Sequence, residues 1–121
     1  MKKILVVGGG GFIGRNISEF LVKRGDCYVV SADIRKGSNR DTLTEQNPKS
    51  FCSVIDDFSD PKAFNALDND FDEIYMLAAI VGVNRTLKDP YEVIRTNTKL
   101  TSNVLDWIEE NLVKKVLIVI L

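Results

Sequence analysis

The sequence predicts an α/β fold in which helices cover both faces of a five-stranded parallel sheet. Short apolar runs alternate along the chain with segments of helical periodicity, a pattern typical of strands that are buried on both faces. A glycine-rich segment lies directly between the first run and the first helix. Because crossovers between parallel strands are right-handed, we expect a doubly wound sheet with the strand order 3-2-1-4-5.

The first part of the chain predicts two strands joined by a helix. The strands are residues 3–7 and 27–32, and the second ends at Asp33. Gly25 is expected to end the helix, because glycine readily adopts the left-handed conformation that follows many helices. The apolar face of this helix is predicted to consist of Ile13, Ile17, Phe20 and Leu21.

The middle of the chain contains a polar segment and two further strands. Residues 35–50 are polar and are expected to form a mobile loop with room for a short helix. Phe51–Ile55 is predicted as the third strand and residues 74–79 as the fourth. A weaker helical pattern over residues 61–67 lies between them.

The last predicted helix has a recognisable start. Asp89 is suited to the N-cap, Pro90 to the first helical position and Glu92 to the third. The helix is expected to run to about Asn111, and residues 116–121 form an apolar fifth strand. Its apolar face is predicted as Ile94, Asn97, Leu100, Thr101, Val104 and Ile108, so the Asn97 amide should be buried and hydrogen-bonded.

Composition excludes several classes of function. The 121 residues form one domain, and 16 basic against 17 acidic residues give no basic field for nucleic acid. No apolar run has the length of a membrane span. The absence of histidine excludes Ser-His-Asp and Cys-His systems and histidine zinc sites, and we expect no metal. Cys27 and Cys52 lie in apolar runs, which favours buried free thiols and a cytoplasmic location.

The glycine-rich segment has the spacing of a phosphate-binding loop. Gly8, Gly11 and Gly14 give GxxGxxG, and Gly9 with the latter two gives GxGxxG. Either spacing places bare backbone between a strand and a helix N-terminus, where a dinucleotide pyrophosphate can bind. The alternative is a flexible turn without a ligand.

Asp33 supports the dinucleotide interpretation. It ends the second strand 19 residues after Gly14, where a carboxylate can accept hydrogen bonds from the adenosine ribose hydroxyls. Its charge favours NAD over NADP, although Arg35 and Lys36 lie close enough to weaken that preference. The alternative is an ordinary polar residue at a strand end.

Several motifs in the expected order resemble the extended short-chain dehydrogenase/reductase family of NAD-dependent sugar-nucleotide epimerases, dehydratases and decarboxylases. The motifs are GGGGFIG over residues 8–14, Asp57-Phe58 after the third strand and Leu77-Ala78-Ala79 after the fourth. The family's motifs leading into the next helix are matched by Gly82-Val83, Asp89-Pro90 and Thr96-Asn97. Met76 stands where family members have a histidine. The resemblance covers essentially the whole chain and implies a Rossmann-type domain.

The resemblance implies a set of cofactor-binding residues. Asp57 is expected at the adenine, although it could instead be a helix N-cap, as Ser59 or Asp60 could. Thr96 is expected to contact the cofactor, and Asn97 to order the floor of the site. The complete set is Gly8, Gly11, Phe12, Ile13, Gly14, Asp33, Ile34, Arg35, Asp57, Phe58, Leu77, Ala78, Ala79 and Thr96.

Family members catalyse with a Tyr-x-x-x-Lys pair that this sequence lacks. Four residues after Tyr28, Tyr75 and Tyr91 stand Ala32, Ala79 and Arg95. We therefore expect the N-terminal, NAD-binding part of such an enzyme, inactive alone, whose complete form acts on a nucleotide sugar. The alternatives are a non-catalytic dinucleotide-sensing regulator and an assembly module.

The apolar end of the chain predicts self-association. Residues 116–121 are six consecutive apolar residues without proline or charge. A fifth strand with an unpaired edge can pair with another copy. We expect a homodimer or aggregation through this strand.

Overall fold

A computed structural model describes residues 1–79, 83–111 and 113–118. It contains a five-stranded sheet in the order β3-β2-β1-β4-β5 in which every neighbouring pair is parallel, as predicted. The strands are β1 Lys2–Val7, β2 Cys27–Asp33, β3 Phe51–Ile55, β4 Glu73–Met76 and β5 Lys115–Ile118. The helices are α1 Phe12–Arg24, α2 Arg40–Gln46, α3 Val83–Lys88 and α4 Pro90–Asn111, with a 3₁₀ helix at Pro61–Ala66.

The central strand β1 is buried on both faces. Successive side chains of a strand point to opposite faces, so Leu5 and Val7 pack in one apolar cluster and Ile4 and Val6 in another. All four are fully buried. The sheet is therefore a rigid base, and the carboxyl ends of its parallel strands meet at one edge.

The buried face of α1 differs from the predicted one. Phe20 is 64% exposed and Ile13 37%, so neither belongs to the core. Of the predicted residues, Leu21 is buried and Ile17 packs half-buried against the same core cluster. The buried residues of the helix are Gly14, Ser18, Leu21 and Val22. The small residues of this set let the helix lie close to the strands, and Gly25 ends the helix in the left-handed conformation (φ 83°) as predicted.

The buried face of α4 is rotated relative to the prediction. Ile94 is 65% exposed and Asn97 is only half-buried. The Trp107 ring fixes the rotation, because it packs against the rings of Phe64 and Phe71 at centroid distances of 6.0 and 5.8 Å. The buried residues are Val93, Leu100, Val104 and Trp107. The N-cap is confirmed, since the Asp89 carboxylate accepts a hydrogen bond from the Glu92 amide at 3.1 Å.

Other differences are local. β4 ends at Met76, so residues 77–79 follow the strand, and the helix α3 was not predicted. Asp60, rather than Asp57, caps the 3₁₀ helix by accepting from the Lys62 amide at 3.0 Å. Cys27 is buried, whereas Cys52 is half-buried. β5 begins at Lys115, and the predicted residues 119–121 of that strand lie outside the described residues, as does Gly82.

Candidate functional site

A cavity of about 620 Å³ lies at the carboxyl ends of β1, β2 and β4. The glycine segment, the end of β2, the segment after β3 and residues 77–79 form its walls. Every residue that the sequence predicted for the cofactor site lines this cavity. It is also lined by Val7, Ala32, Ser59, Arg85, Glu92 and Leu100, which were not predicted.

Two of the motif glycines are required by the fold itself. Gly8 has a φ of 95°, and a Cβ there would lie 2.6 Å from the Ala78 nitrogen. A Cβ on Gly14 would collide with the Gly8 carbonyl oxygen. Gly8 and Gly14 thus let the loop fit between residues 77–79 and the start of α1. Their presence explains the shape of the loop and by itself says nothing about a ligand.

Gly11 differs from these two. Its φ of −78° and ψ of 175° are extended values that any residue adopts. A Cβ there would meet only the Gly8 oxygen at 3.5 Å and an Arg35 guanidinium nitrogen at 3.7 Å, both ordinary contacts. Neither backbone conformation nor internal packing requires glycine at this position. A ligand that lies against the backbone would require it, and this fits a dinucleotide pyrophosphate.

The N-terminus of α1 is electrostatically suited to an anion. Gly11 is the N-cap and offers no side chain, and the first turn contains no acidic residue. The first amides of a helix lack intrahelical partners and carry a partial positive charge. Because Gly11 borders the cavity, a phosphate group there would meet these amides directly.

Asp33 lines the cavity and also holds the neighbouring backbone in place. One carboxylate oxygen accepts a hydrogen bond from the Gly10 amide at 2.8 Å, and the other accepts from the Arg35 amide at 3.1 Å. A carboxylate oxygen has two lone pairs, so each can accept a further hydrogen bond from a hydroxyl group. The sequence predicted a contact of Asp33 with the ribose but not its hydrogen bonds to the backbone amides.

The segment after β2 is fastened to the glycine loop and α1. Gly37 is buried, and a Cβ there would lie 3.2 Å from the Gly10 Cα. The Asn39 side-chain amide donates to the Arg15 carbonyl at 3.0 Å, and Leu43 of α2 is buried in the core. The segment 35–50 was expected to be a mobile loop, but several of its residues are packed against the glycine loop and α1 beside the cavity.

On the opposite wall, α4 holds the segment that contains Asp57 and Phe58. The Asn103 side-chain amide donates to the carbonyl oxygens of Phe58 and Ser59 at 3.1 and 2.9 Å. The Asp57 carboxylate accepts from the Ser59 amide at 3.0 Å and closes a local turn. Sequence reasoning missed Asn103, although its spacing from Leu100 and Trp107 places it near the buried face.

Tyr28 and Tyr75 are not prepared for proton transfer near neutrality. Burial raises the pKa of Tyr28 and of Tyr75 above the usual value, whereas a tyrosine that exchanges a proton near neutrality needs a lowered pKa. Tyr91 is 77% exposed. Among residues 1–79, 83–111 and 113–118, no cluster of acidic or cysteine side chains could hold a metal ion, and no helix is long and apolar enough to span a membrane.

The fold and the glycine loop define a Rossmann-type nucleotide-binding domain. The chain belongs to the NAD dependent epimerase/dehydratase family, whose model matches residues 4–119.

Two of the relatives at the sequence level are a decarboxylase and an epimerase of nucleotide sugars. The chain is 37% identical over 106 residues to the UDP-N-acetyl-alpha-D-glucosaminuronate decarboxylase of Bacillus cytotoxicus. The matched region covers 86% of this chain and 32% of the relative. It is 34% identical to the dTDP-L-rhamnose 4-epimerase of Burkholderia thailandensis, over 88% of this chain and 30% of the relative. The chain thus spans about a third of the length of these relatives.

Solved structures share the fold over nearly the whole chain. Pen from Bacillus thuringiensis has a TM-score of 0.81 at 27% identity, over 97% of this chain and 36% of that one. The UDP-glucose 4-epimerase from Bifidobacterium longum, in complex with NAD+ and UDP, has a TM-score of 0.84 at 22% identity and the same coverage.

Proposed function

We propose that this chain is the NAD-binding domain of an extended short-chain dehydrogenase/reductase that acts on a nucleotide sugar. The observation that carries the proposal is Gly11. Its backbone and its packing would both accept a side chain, yet the position borders the cavity at the N-terminus of α1. A pyrophosphate lying against this backbone explains the glycine.

The remaining walls suit the other parts of NAD. Asp33 can accept hydrogen bonds from the adenosine ribose, and Asp57 and Phe58 border the adenine side. Residues 77–79 border the nicotinamide side. Thr96 is half-buried in the cavity wall, where its hydroxyl donates to the Glu92 carboxylate at 3.0 Å and can still accept a hydrogen bond from the cofactor. When bound, NAD would supply transient oxidation of a sugar carbon by accepting a hydride.

Binding and turnover are expected to separate in this chain. The sequence has no Tyr-x-x-x-Lys pair, so no side-chain pair of the family's kind can move a proton to or from a sugar hydroxyl. We propose that the 121 residues bind the cofactor but do not turn over substrate alone.

Both cysteines are free, which agrees with a cytoplasmic location.

Calorimetric titration of NAD into the wild-type chain and a Gly11→Val variant tests the proposal. Valine is compatible with the extended backbone, so the variant should keep its thermal unfolding midpoint while its NAD affinity falls at least about thirtyfold. Thr98→Val, an exposed position on α4 away from the cavity, is the control. Equal affinities in the wild type and Gly11→Val would refute the assignment.

A further inference from the structure

We infer that Arg35 is a pyrophosphate-binding residue and does not select for the 2′-phosphate of NADP. The inference rests on the proposed function, because it assigns one side chain of the same cavity to one part of the dinucleotide. Three observations carry it: the fixed backbone from which Arg35 projects, the position of its guanidinium, and the absence of an ion pair between that guanidinium and any acidic residue that the structure describes.

The backbone at Arg35 is held from both sides. Its amide donates to the Asp33 carboxylate at 3.1 Å. Its carbonyl lies so close to Gly10 that a Cβ on that glycine would collide with it. Two residues later, Gly37 packs on the Cα of Gly10. The Arg35 side chain therefore starts from a point that is fixed relative to the glycine loop.

The guanidinium lies over the start of α1. One of its terminal nitrogens is 3.7 Å from the place where a Gly11 Cβ would stand. The fold itself does not require that position 11 lack a side chain. The cationic group and the amides at the helix N-terminus thus face the same space, and both attract an anion.

The Arg35 guanidinium is also available for a ligand, whereas the ammonium group of the adjacent Lys36 pairs with Asp41 at 2.8 Å. Arg35 forms no ion pair with the part of the chain that the structure describes. A guanidinium can donate two parallel hydrogen bonds to phosphate oxygens, so a diphosphate satisfies it.

The position also distinguishes between the two phosphate groups of NADP. The 2′-phosphate belongs to the adenosine ribose, which we place at Asp33, where a carboxylate would repel it. The pyrophosphate belongs at Gly11, next to the guanidinium. Arg35 should therefore strengthen binding of NAD, NADP and ADP by the same factor, since all three carry a diphosphate.

The test is calorimetric titration of the wild-type chain, Arg35→Gln, Arg35→Lys and the control Lys36→Gln with NAD, NADP and ADP. Glutamine removes the charge and shortens the side chain by two bonds, so that it no longer reaches the space beside Gly11, and we expect about a tenfold loss of affinity for each ligand. Lysine should recover part of the loss. Lys36→Gln removes an ammonium group that is already paired, so it should change each affinity less than about twofold.

The outcomes separate this inference from the proposed function. An equal loss for all three ligands in Arg35→Gln supports the pyrophosphate role. A loss confined to NADP, or unchanged affinity for all three, overturns it while NAD binding by the wild type stands. If the wild type binds neither NAD nor ADP, the proposed function fails and the inference falls with it.

Discussion

At the scale of single residues, Asp33 couples the shape of the cavity to its chemistry. Its two carboxylate oxygens accept hydrogen bonds from the Gly10 and Arg35 amides, and so hold the glycine loop and the segment after β2 together. The same oxygens face the place proposed for the adenosine ribose. A change at this residue should therefore alter both the affinity for the cofactor and the choice between cofactors.

Asp33→Ser should weaken NAD binding about tenfold and reduce the preference for NAD over NADP. A serine hydroxyl is a weaker ribose acceptor, and the charge that repels a 2′-phosphate is gone. Affinities for NAD and NADP measured by calorimetry on the variant give the ratio. Asp26→Ser, at the opposite end of β2, is the matched control. An unchanged ratio in Asp33→Ser would show that the carboxylate does not select the cofactor.

The motif glycines show what sequence could and could not predict at this scale. Spacing alone placed Gly8, Gly11 and Gly14 together in a phosphate-binding loop, and all three line the cavity. It could not separate their roles, because the clash at Gly14 and the positive φ at Gly8 depend on the folded geometry. Arg35 was expected both in the cofactor-binding set and as a charge near Asp33, but its position beside Gly11 follows from backbone contacts with Gly10 that only the folded geometry shows.

At the scale of elements, Asn103 joins α4 to the segment that follows β3. Its amide spans the carbonyl oxygens of Phe58 and Ser59, while the Phe58 ring packs at 5.2 Å from the Phe64 ring. The cavity wall that we propose for the adenine is therefore positioned by a helix that is distant in sequence.

Asn103→Ala should lower the free energy of unfolding by about 1–2 kcal/mol and weaken NAD binding several-fold. Two carbonyl groups lose their donor, and the wall they belong to is less well fixed. Chemical denaturation and NAD titration measure the two effects. Ser102→Ala, an exposed neighbour on the same helix, controls for the change in helix propensity. The interpretation is wrong if the two variants behave alike.

Element boundaries were predictable where a local signal exists. Asp89 and Pro90 mark the start of α4, and Gly25 marks the end of α1. The rotation of α4 was not predictable, because it depends on the contact of Trp107 with Phe64 and Phe71. Asn97 was expected to be buried and is half-buried, and the bonds of Asn103 to the segment after β3 were not predicted.

At the scale of the whole molecule, the order of strands and helices was sufficient to predict the sheet. Right-handed crossovers leave few topologies for this order, and the observed one is 3-2-1-4-5. The carboxyl ends of β1, β2 and β4 then necessarily meet, which explains why residues far apart in sequence line one cavity.

Self-association through β5 remains a prediction. Within the described residues β5 is the outermost strand beside β4, and Val116 and Leu117 are 36% and 47% exposed. Leu117→Lys should reduce the apparent mass measured by light scattering at high concentration, because charge at an edge strand opposes pairing. Phe20→Lys, which removes an apolar side chain of α1 that is even more exposed than Leu117, is the control. A monomeric wild type would contradict the prediction.

The central claim is that NAD binds in the cavity at the carboxyl ends of the strands. Amide chemical shifts of the isotope-labelled chain, recorded during titration with NAD, test it most directly. The account predicts saturable shifts at Gly11, Gly14, Asp33 and Phe58, with little change at Lys2 and Asp26 at the other end of the sheet. Shifts centred on the separate groove between Pro61 and Trp107, or no saturable shifts at all, would contradict it.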